Sequence, residues 1–385
     1  MFNNNTVVGG AANALFNLSR EQTNSNNVSI IGQLPGDASK FTFIESENSK
    51  IELVPINVHS SPTSLQFGIE YSARILFYSI KNGQGPDIVH GHSGYLDYII
   101  PTITYSRVKN SAAIQTVYCP VFSKGGLSRY VGKWPFLSLA SSQIEKFIAI
   151  SNNISKSLQL FGVNPERIVI IPPAVDIQRF TTKHTKSEIR NHLGIPVDCP
   201  IILFVGSTKP VKNLETVIKA LPLVIQEIPS VKLIITTELK HKNHQTRSTY
   251  LLSLIMQLGI KDHIIKKGIV NNMPDLMTAA DVLVAPFLNT DGPSDYFIAV
   301  LEAMSIGRPV VVSAVGGMPE IVNPEVGVLT SPQDVEGIAI ALIKLLLDAD
   351  HSTAMGYAAS KKVREKFNPT IIADKVQSVY DEALR

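Results

Sequence analysis

Asp281-Val-Leu-Val-Ala-Pro286, then Gly292-Pro-Ser-Asp-Tyr296, Val300-Leu-Glu-Ala-Met304, Gly307-Arg-Pro-Val-Val-Val312 and Gly316-Gly-Met-Pro-Glu320, reads as strand, Gly/Pro/Ser loop, short helix, strand and glycine loop. Strand ends softened by glycine are where open parallel sheets form ligand crevices. Within the helix, Phe297, Val300, Leu301 and Met304 fall at the spacing of a buried stripe, which turns Glu302 away from the core. Asp295 stands seven residues before Glu302. If the helix begins there, both carboxylates project from one side, two turns apart, with Ser294 just beyond.

The same alternation extends outward in both directions. Upstream in the second half, Pro200 to Val205, Leu233 to Thr236 and Ile264 to Lys267 read as strands, and Gly327-Val-Leu329 follows downstream. In the first half Asn27 to Gly32, Ile51 to Pro55, Asp87 to Val89, Ala112 to Val117, Phe147 to Ile150 and Ile168 to Ile171 are strand-like. Between them Gly10 to Arg20, Ser64 to Ile80, Gly94 to Val108 and Ser151 to Phe161 are helical. Strands alternating with helices predict an α/β protein with doubly wound parallel sheets. Pro172-Pro173 and the polar run Thr181 to Ser187 interrupt the pattern and suggest a linker. The expected division is 1–176, a linker over 177–196, a second domain over 197–367, and a terminal helix over 368–385.

Composition sets the outer limits. A chain of 385 residues suffices for two cores of ordinary size. With 44% apolar and 17% charged residues, and no apolar run near the roughly 20 residues of a span, a membrane-crossing protein is not expected. Cys119 and Cys199 are the only cysteines and lack metal-type spacing, so neither a disulfide framework nor zinc is expected. The start Met1-Phe-Asn-Asn-Asn-Thr6 has no basic and apolar regions of a secretory signal, which points to the cytoplasm. A net charge of +3 gives no argument for nucleic acid.

Charge distribution says more. From Arg107 to Lys156 the chain carries Arg107, Lys109, Lys124, Arg129, Lys133, Lys146 and Lys156 against Glu145 alone, with Phe122, Tyr130, Trp134 and Phe136 among them. This mixture suits an anionic lipid surface, and hence a peripheral position at the inner membrane face. The alternative is a solvated loop whose aromatic rings fold back onto the core.

The segment Leu301-Glu-Ala-Met-Ser-Ile-Gly-Arg-Pro-Val-Val-Val-Ser-Ala-Val-Gly-Gly-Met-Pro-Glu-Ile321 resembles the signature of the family 4 nucleotide-sugar glycosyltransferases. Two further stretches agree in order: Ile148-Ala-Ile-Ser151 through Ile168-Val-Ile-Ile-Pro-Pro-Ala-Val-Asp176, and Ile202-Leu-Phe-Val-Gly206 with Lys212. The resemblance covers nearly the whole chain. It implies the GT-B plan, two Rossmann-like doubly wound domains facing across a cleft, with the final helix crossing back to the first. It also implies sugar transfer from a nucleotide diphosphate with retention of configuration, without a metal, to a glycan or lipid-linked acceptor. Val8-Gly9-Gly10-Ala11 resembles the glycine turn after the family's first strand, yet only seven residues, mostly Asn and Thr, precede it. The first strand is missing or very poor, and a misassigned start codon or a shortened chain is the expectation.

Carried over position by position, the resemblance makes Glu302 the acceptor of hydrogen bonds from vicinal ribose hydroxyls, about 1.5 to 3 kcal/mol each. Lys212, in Gly206-Ser-Thr-Lys-Pro-Val-Lys-Asn213, matches the lysine that contacts the diphosphate and would stabilise its departure. Ser207 stands where the family has arginine and Asn213 where it has glycine; Lys209 is the candidate to supply the lost charge. Instead of a glutamate and a Gly-Phe-Gly-like run before the helix, this chain has Ser294, Asp295, Tyr296 and Phe297. Asp295 either touches the sugar's hydroxyls, as a catalytic partner of Lys212, or caps the helix together with Ser294. Backbone N–H groups of Phe297, Ile298 and Ala299 are placed to meet phosphate oxygens.

On the first domain, Gly9 and Gly10 permit close backbone approach to the donor. His90 and His92 end a strand, and His92 is an acceptor-side candidate, with a structural histidine the alternative. Tyr118 stands where many relatives have a histidine near the reaction centre; with an ordinary pKa of about 10 it is a poor base. Two rivals accompany the transferase reading: a non-catalytic relative binding a sugar nucleotide or a partner transferase, and a sugar-nucleotide epimerase.

Overall fold

The structure, a computed structural model, describes residues 10–32, 43–46, 49–56, 65–81, 83–93, 99–121, 139–181, 184–236, 245–268, 270, 272–290 and 294–385. The first half runs α1 (Gly10–Gln22), β1 (Val28–Gly32), β2 (Phe43–Ser46), β3 (Ser49–Pro55), α2 (Leu65–Lys81), β4 (Ile88–Ser93), α3 (Ile99–Lys109), β5 (Ala112–Val117), β6 (Lys146–Ala149), α4 (Asn152–Phe161) and β7 (Ile168–Ile170). The second half runs α5 (Lys186–Leu193), β8 (Ile201–Phe204), α6 (Leu214–Glu227), β9 (Lys232–Ile235), α7 (Gln245–Gln257), β10 (Ile264–Lys266), α8 (Met273–Ala279) and β11 (Val282–Ala285). It continues with α9 (Ile298–Ser305), β12 (Val310–Ser313), α10 (Met318–Ile321), β13 (Val328–Thr330), α11 (Val335–Leu347), α12 (Ala349–Lys366) and α13 (Pro369–Ala383).

The chain forms two compact units. The first comprises Met1–Val175, Asp291–Tyr296 and Phe367–Arg385, the second Asp176–Thr290 and Phe297–Lys366. The second unit contains one sheet in the order β10-β9-β8-β11-β12-β13, with every neighbouring pair parallel. Its strands are buried on both faces because they are continuous apolar runs, such as Ile201-Ile-Leu-Phe204 and Val282-Leu-Val-Ala285. Counting from β8, the order is 3-2-1-4-5-6, so strand order reverses between β8 and β11. That is the point at which sheets of this kind hold ligands. Ile202, Phe204, Leu221, Val284, Ile338 and Leu342 share one core between the sheet and helices α6 and α11.

The first unit holds a parallel sheet β4-β5-β6-β7 and a three-stranded sheet β1-β3-β2, in which β2 pairs antiparallel to β3. Strand β2 was not foreseen, since four residues without a helix beside them carry little periodicity. The expected glycine turn at Val8-Gly9 and the poor first strand lie outside the described residues, while Gly10 begins α1. So do the aromatic residues Phe122, Tyr130, Trp134 and Phe136. Helix α13 belongs to this unit: Ile372, Ala373, Val376 and Val379 pack with Leu18, Ile114 and Ile148, and Gln22 Nε2 donates to the Ala373 carbonyl at 2.9 Å.

The expected linker 177–196 contains helix α5. Thr185 and Glu188 form a reciprocal capping box at its start, and Gly194 closes it in the left-handed region at φ 60°. Part of the polar run Thr181 to Ser187 is thus helix-end chemistry. Among the described residues, no helix is long and apolar enough to cross a membrane.

Candidate functional site

The loops after β8 and β11 meet at the reversal point of the second unit's sheet. Leu288 N donates to the Val211 carbonyl at 3.0 Å, and Asn213 Nδ2 to the Pro286 carbonyl at 2.9 Å. Lys212, at the end of a short 3-10 turn before α6, places Nζ 3.9 Å from the centroid of the Phe287 ring. Phe287 in turn lies against Phe297, with ring centroids 4.0 Å apart. Both rings are buried, so the ammonium is held on an apolar shelf by a cation–π contact. Ser207 is half-buried in the same loop and Lys209 is exposed.

Asn213 explains one departure from the family pattern. Its backbone φ is 54°, the left-handed region that glycine occupies without strain and asparagine tolerates. Its side chain compensates: Nδ2 holds Pro286 while Oδ1 accepts from Thr216 Oγ1 at 2.9 Å. This substitution keeps the turn.

Phe297 caps α9 without any side-chain hydrogen bond, so the helix begins at Ile298 rather than near Asp295. Ser294 and Asp295 therefore do not cap it. Glu302 lies in the second turn of α9, half-buried, and its carboxylate has no hydrogen-bond or ion-pair partner among the described residues. Its carboxyl is pushed up to about 7, chiefly because burial disfavours the charge; Arg179 pulls it down and Asp176 adds to the rise. Arg179 and Asp176 were not singled out from the sequence as site residues. For Asp176 the signal was present in Ala174-Val-Asp176, quoted for the family resemblance but given no role; Arg179 lies beyond that motif.

Asp295 goes elsewhere. It is fully buried in the first unit, where Oδ2 accepts from Ser151 Oγ at 2.5 Å and Oδ1 from Asn153 Nδ2 at 2.8 Å. Its N–H donates to the Tyr118 carbonyl at 2.8 Å. Asp295 and Glu302 do not share one helical face, because the helix starts three residues after Asp295. Tyr296 is buried edge-on against Phe367, with centroids 6.1 Å apart. Ser294 Oγ is buried without a hydrogen-bond partner among the described residues.

His92 and Tyr118 come together at the carboxyl ends of β4 and β5: His92 Nδ1 lies 3.1 Å from the Tyr118 hydroxyl. His90 packs on His92 with ring centroids 4.1 Å apart and is fixed between the Tyr380 hydroxyl and Thr116 Oγ1, each at 2.8 Å. Burial lowers His92 to about 4, burial and then the neighbouring His92 lower His90 well below its ordinary 6.5, and burial raises the Tyr118 hydroxyl. All three are neutral near pH 7. Gly10, at the amino end of α1, is in the same unit.

Comparison with known proteins agrees with this geometry. A model described as Glycosyltransferase Family 4 matches residues 8–179, and one described as Glycosyl transferases group 1 matches residues 185–362. The chain is 26% identical over 310 residues to an uncharacterized glycosyltransferase of Methanocaldococcus jannaschii, covering 77% of this chain and 76% of that one. It is 27% identical to a D-inositol 3-phosphate glycosyltransferase of Xylanimonas cellulosilytica, covering 78% and 72%. To a GDP-mannose-dependent phosphatidylinositol monomannoside mannosyltransferase of Corynebacterium glutamicum it is 28% identical, covering 66% of each. Among solved structures, Anabaena HepE in complex with UDP superposes with a TM-score of 0.77 at 18% identity, covering 97% of this chain and 96% of that one. WaaG, a glycosyltransferase involved in lipopolysaccharide biosynthesis, gives 0.70 at 17% identity with the same coverage. With family models matching each half and GT-B enzymes as its structural neighbours, this chain belongs to the family 4 glycosyltransferases.

Proposed function

We propose that the protein transfers a hexosyl-type sugar from a nucleotide diphosphate to a glycan or lipid-linked acceptor, with retention of configuration. The observation that carries the donor half of this reading is Glu302: a carboxyl group in a desolvated position, with no partner of its own, beside the strand-order reversal. A partly desolvated carboxylate is disfavoured in its charged form, and the vicinal hydroxyls of a ribose are donors that would stabilise it. Lys212, held on Phe287, brings positive charge to the same sheet end, where the uncapped start of α9 adds its dipole. These groups offset charge on the departing diphosphate, so the proposed chemistry needs no resident metal.

In the proposed step the bond from the anomeric carbon to the diphosphate oxygen breaks while the acceptor oxygen bonds to that carbon on the same face. The acceptor's proton passes to the leaving phosphate. No protein carboxylate bonds to the sugar, consistent with both Asp295 oxygens being occupied within its own unit. Asp295 is then a positioning residue. His92 and Tyr118, both neutral, can orient an acceptor hydroxyl.

The names of the relatives support a sugar nucleotide and a phosphorylated or lipid-linked polyol acceptor: one is GDP-mannose-dependent and acts on a phosphatidylinositol mannoside, another is named for D-inositol 3-phosphate. HepE is described with UDP and with UDP-glucose. The experiment is a thermal-shift and calorimetric comparison of UDP-, GDP- and ADP-sugars, followed by transfer assays with the donor that binds. Binding without either transfer or donor hydrolysis would instead support the non-catalytic reading. A product that keeps its nucleotide would support the epimerase. For a lipid-linked acceptor, co-sedimentation with anionic vesicles is expected.

A further inference from the structure

A cavity of about 470 Å³ opens in the second unit at the opposite end of its sheet, beside Pro200 before β8, Asp281 before β11 and Pro309 before β12. Its charged lining is unbalanced: Lys186, Arg190 and Arg308 against Asp281 and Asp198. Asp281 is already saturated. Lys186 engages Oδ1, while Oδ2 accepts from Arg190 Nη2 at 2.8 Å and from the Ile201 N–H at 2.6 Å. Arg190 directs three further N–H groups at the carbonyls of Ala279, Val197 and Cys199.

Arg308 is left over. Nη1 reaches only the Ala280 carbonyl, at 3.3 Å, and Nε is buried with no hydrogen-bond partner. Burial lowers the pKa of this guanidinium, with Asp281 opposing and Arg190 reinforcing the effect. Arg308 nevertheless lines the cavity, and a guanidinium donates strongly to an oxyanion. Ser352 and Thr353, near the amino end of α12, also line the cavity.

We propose that this cavity is a second anion site, which takes a phosphomonoester through the guanidinium of Arg308 and the ammonium of Lys186. It is separate from the turn that holds Lys212 and from α9 with Glu302, and does not depend on the donor reading. The cavity exceeds the volume of a phosphate ion, so the ligand is a small phosphorylated metabolite rather than free phosphate alone.

The test is thermal shift and calorimetry on the full chain with inorganic phosphate as probe, against chloride at matched ionic strength. Phosphate at about 20 mM is expected to raise the melting temperature by about 3 °C. The rise should persist in Lys212→Met, fall at least twofold in Lys186→Met, and vanish in Arg308→Met. Thr353→Asp, at an exposed position in the second turn of α12, places a like charge at the mouth and should also abolish it; this variant stands in if Arg308→Met fails to fold. A rise no larger than that given by chloride overturns the proposal. So does one that is lost in Lys212→Met but kept in Arg308→Met or Thr353→Asp.

Discussion

The side chain of Asn213 donates to the carbonyl of Pro286 at 2.9 Å, tying the loop after β8 to the loop after β11. Because Asn213 follows Lys212 directly, this bond also fixes where Lys212 meets Phe287. Replacing Asn213 by Ala removes the bond and leaves a side chain that tolerates φ 54° poorly. The expected loss is about 2 kcal/mol in denaturant unfolding, with a raised KM for the donor. Asn213→Gly recovers the backbone term and should lie within about 1 kcal/mol of the parent.

Glu302 should set the pH dependence of donor binding. A carboxyl raised to about 7 is protonated over much of the range below neutrality, when it accepts ribose hydrogen bonds less well. Donor affinity is expected to fall about tenfold per pH unit below 7, and Glu302→Gln should flatten that profile while weakening binding at pH 8. Stability moves the other way. The folded-state pKa lies above the ordinary 4.5, so the folded protein holds a proton that the unfolded chain releases, and the carboxyl opposes folding increasingly from about pH 4.5 to pH 7. Glu302→Gln should therefore melt higher than the parent at pH 8, with the difference shrinking toward pH 4.5. Equal melting temperatures at both pH values would count against this assignment.

Lys212 on its aromatic shelf should act on the leaving diphosphate. Lys212→Met preserves the packing on Phe287 and removes the charge, so kcat is expected to fall at least 100-fold while stability changes little. A nucleoside diphosphate should lose more affinity than the nucleoside alone; calorimetry with the two ligands separates the effects.

The sheet of the second unit was legible because each of its strands is a short apolar run bounded by Gly, Pro or polar residues, and periodicity needs nothing else. The candidacy of Lys212 and Glu302 came from the resemblance of the motifs around them to the family. What spacing could not show was the start of α9. Asp295, Tyr296 and Phe297 have no strong preference that distinguishes helix from loop, and the decision falls to hydrogen bonds reaching Ser151 and Asn153, more than 140 residues away. A local reading cannot see such partners. Arg179 was missed for a related reason: its proximity to Glu302 is a product of the fold rather than of any pattern in the chain.

Asp295 separates a positioning role from a donor-binding one. Its carboxylate accepts from two side chains in a site with no solvent exposure, and hydrogen bonds to a charged group contribute about 1.5 to 3 kcal/mol each. Asp295→Asn keeps the shape but weakens both bonds and turns one acceptor into a donor facing Ser151 or Asn153. The expected outcome is a loss of about 3 kcal/mol in unfolding free energy, because a buried polar group is left badly matched. Ser151→Ala should reproduce part of that loss, since the Ser151 hydroxyl also accepts from the Ile154 N–H at the start of α4. If Asp295 only positions its neighbours, donor affinity measured below the melting transition should stay within about twofold in both variants, whereas direct contact with the sugar would cost Asp295→Asn tenfold or more while sparing Ser151→Ala.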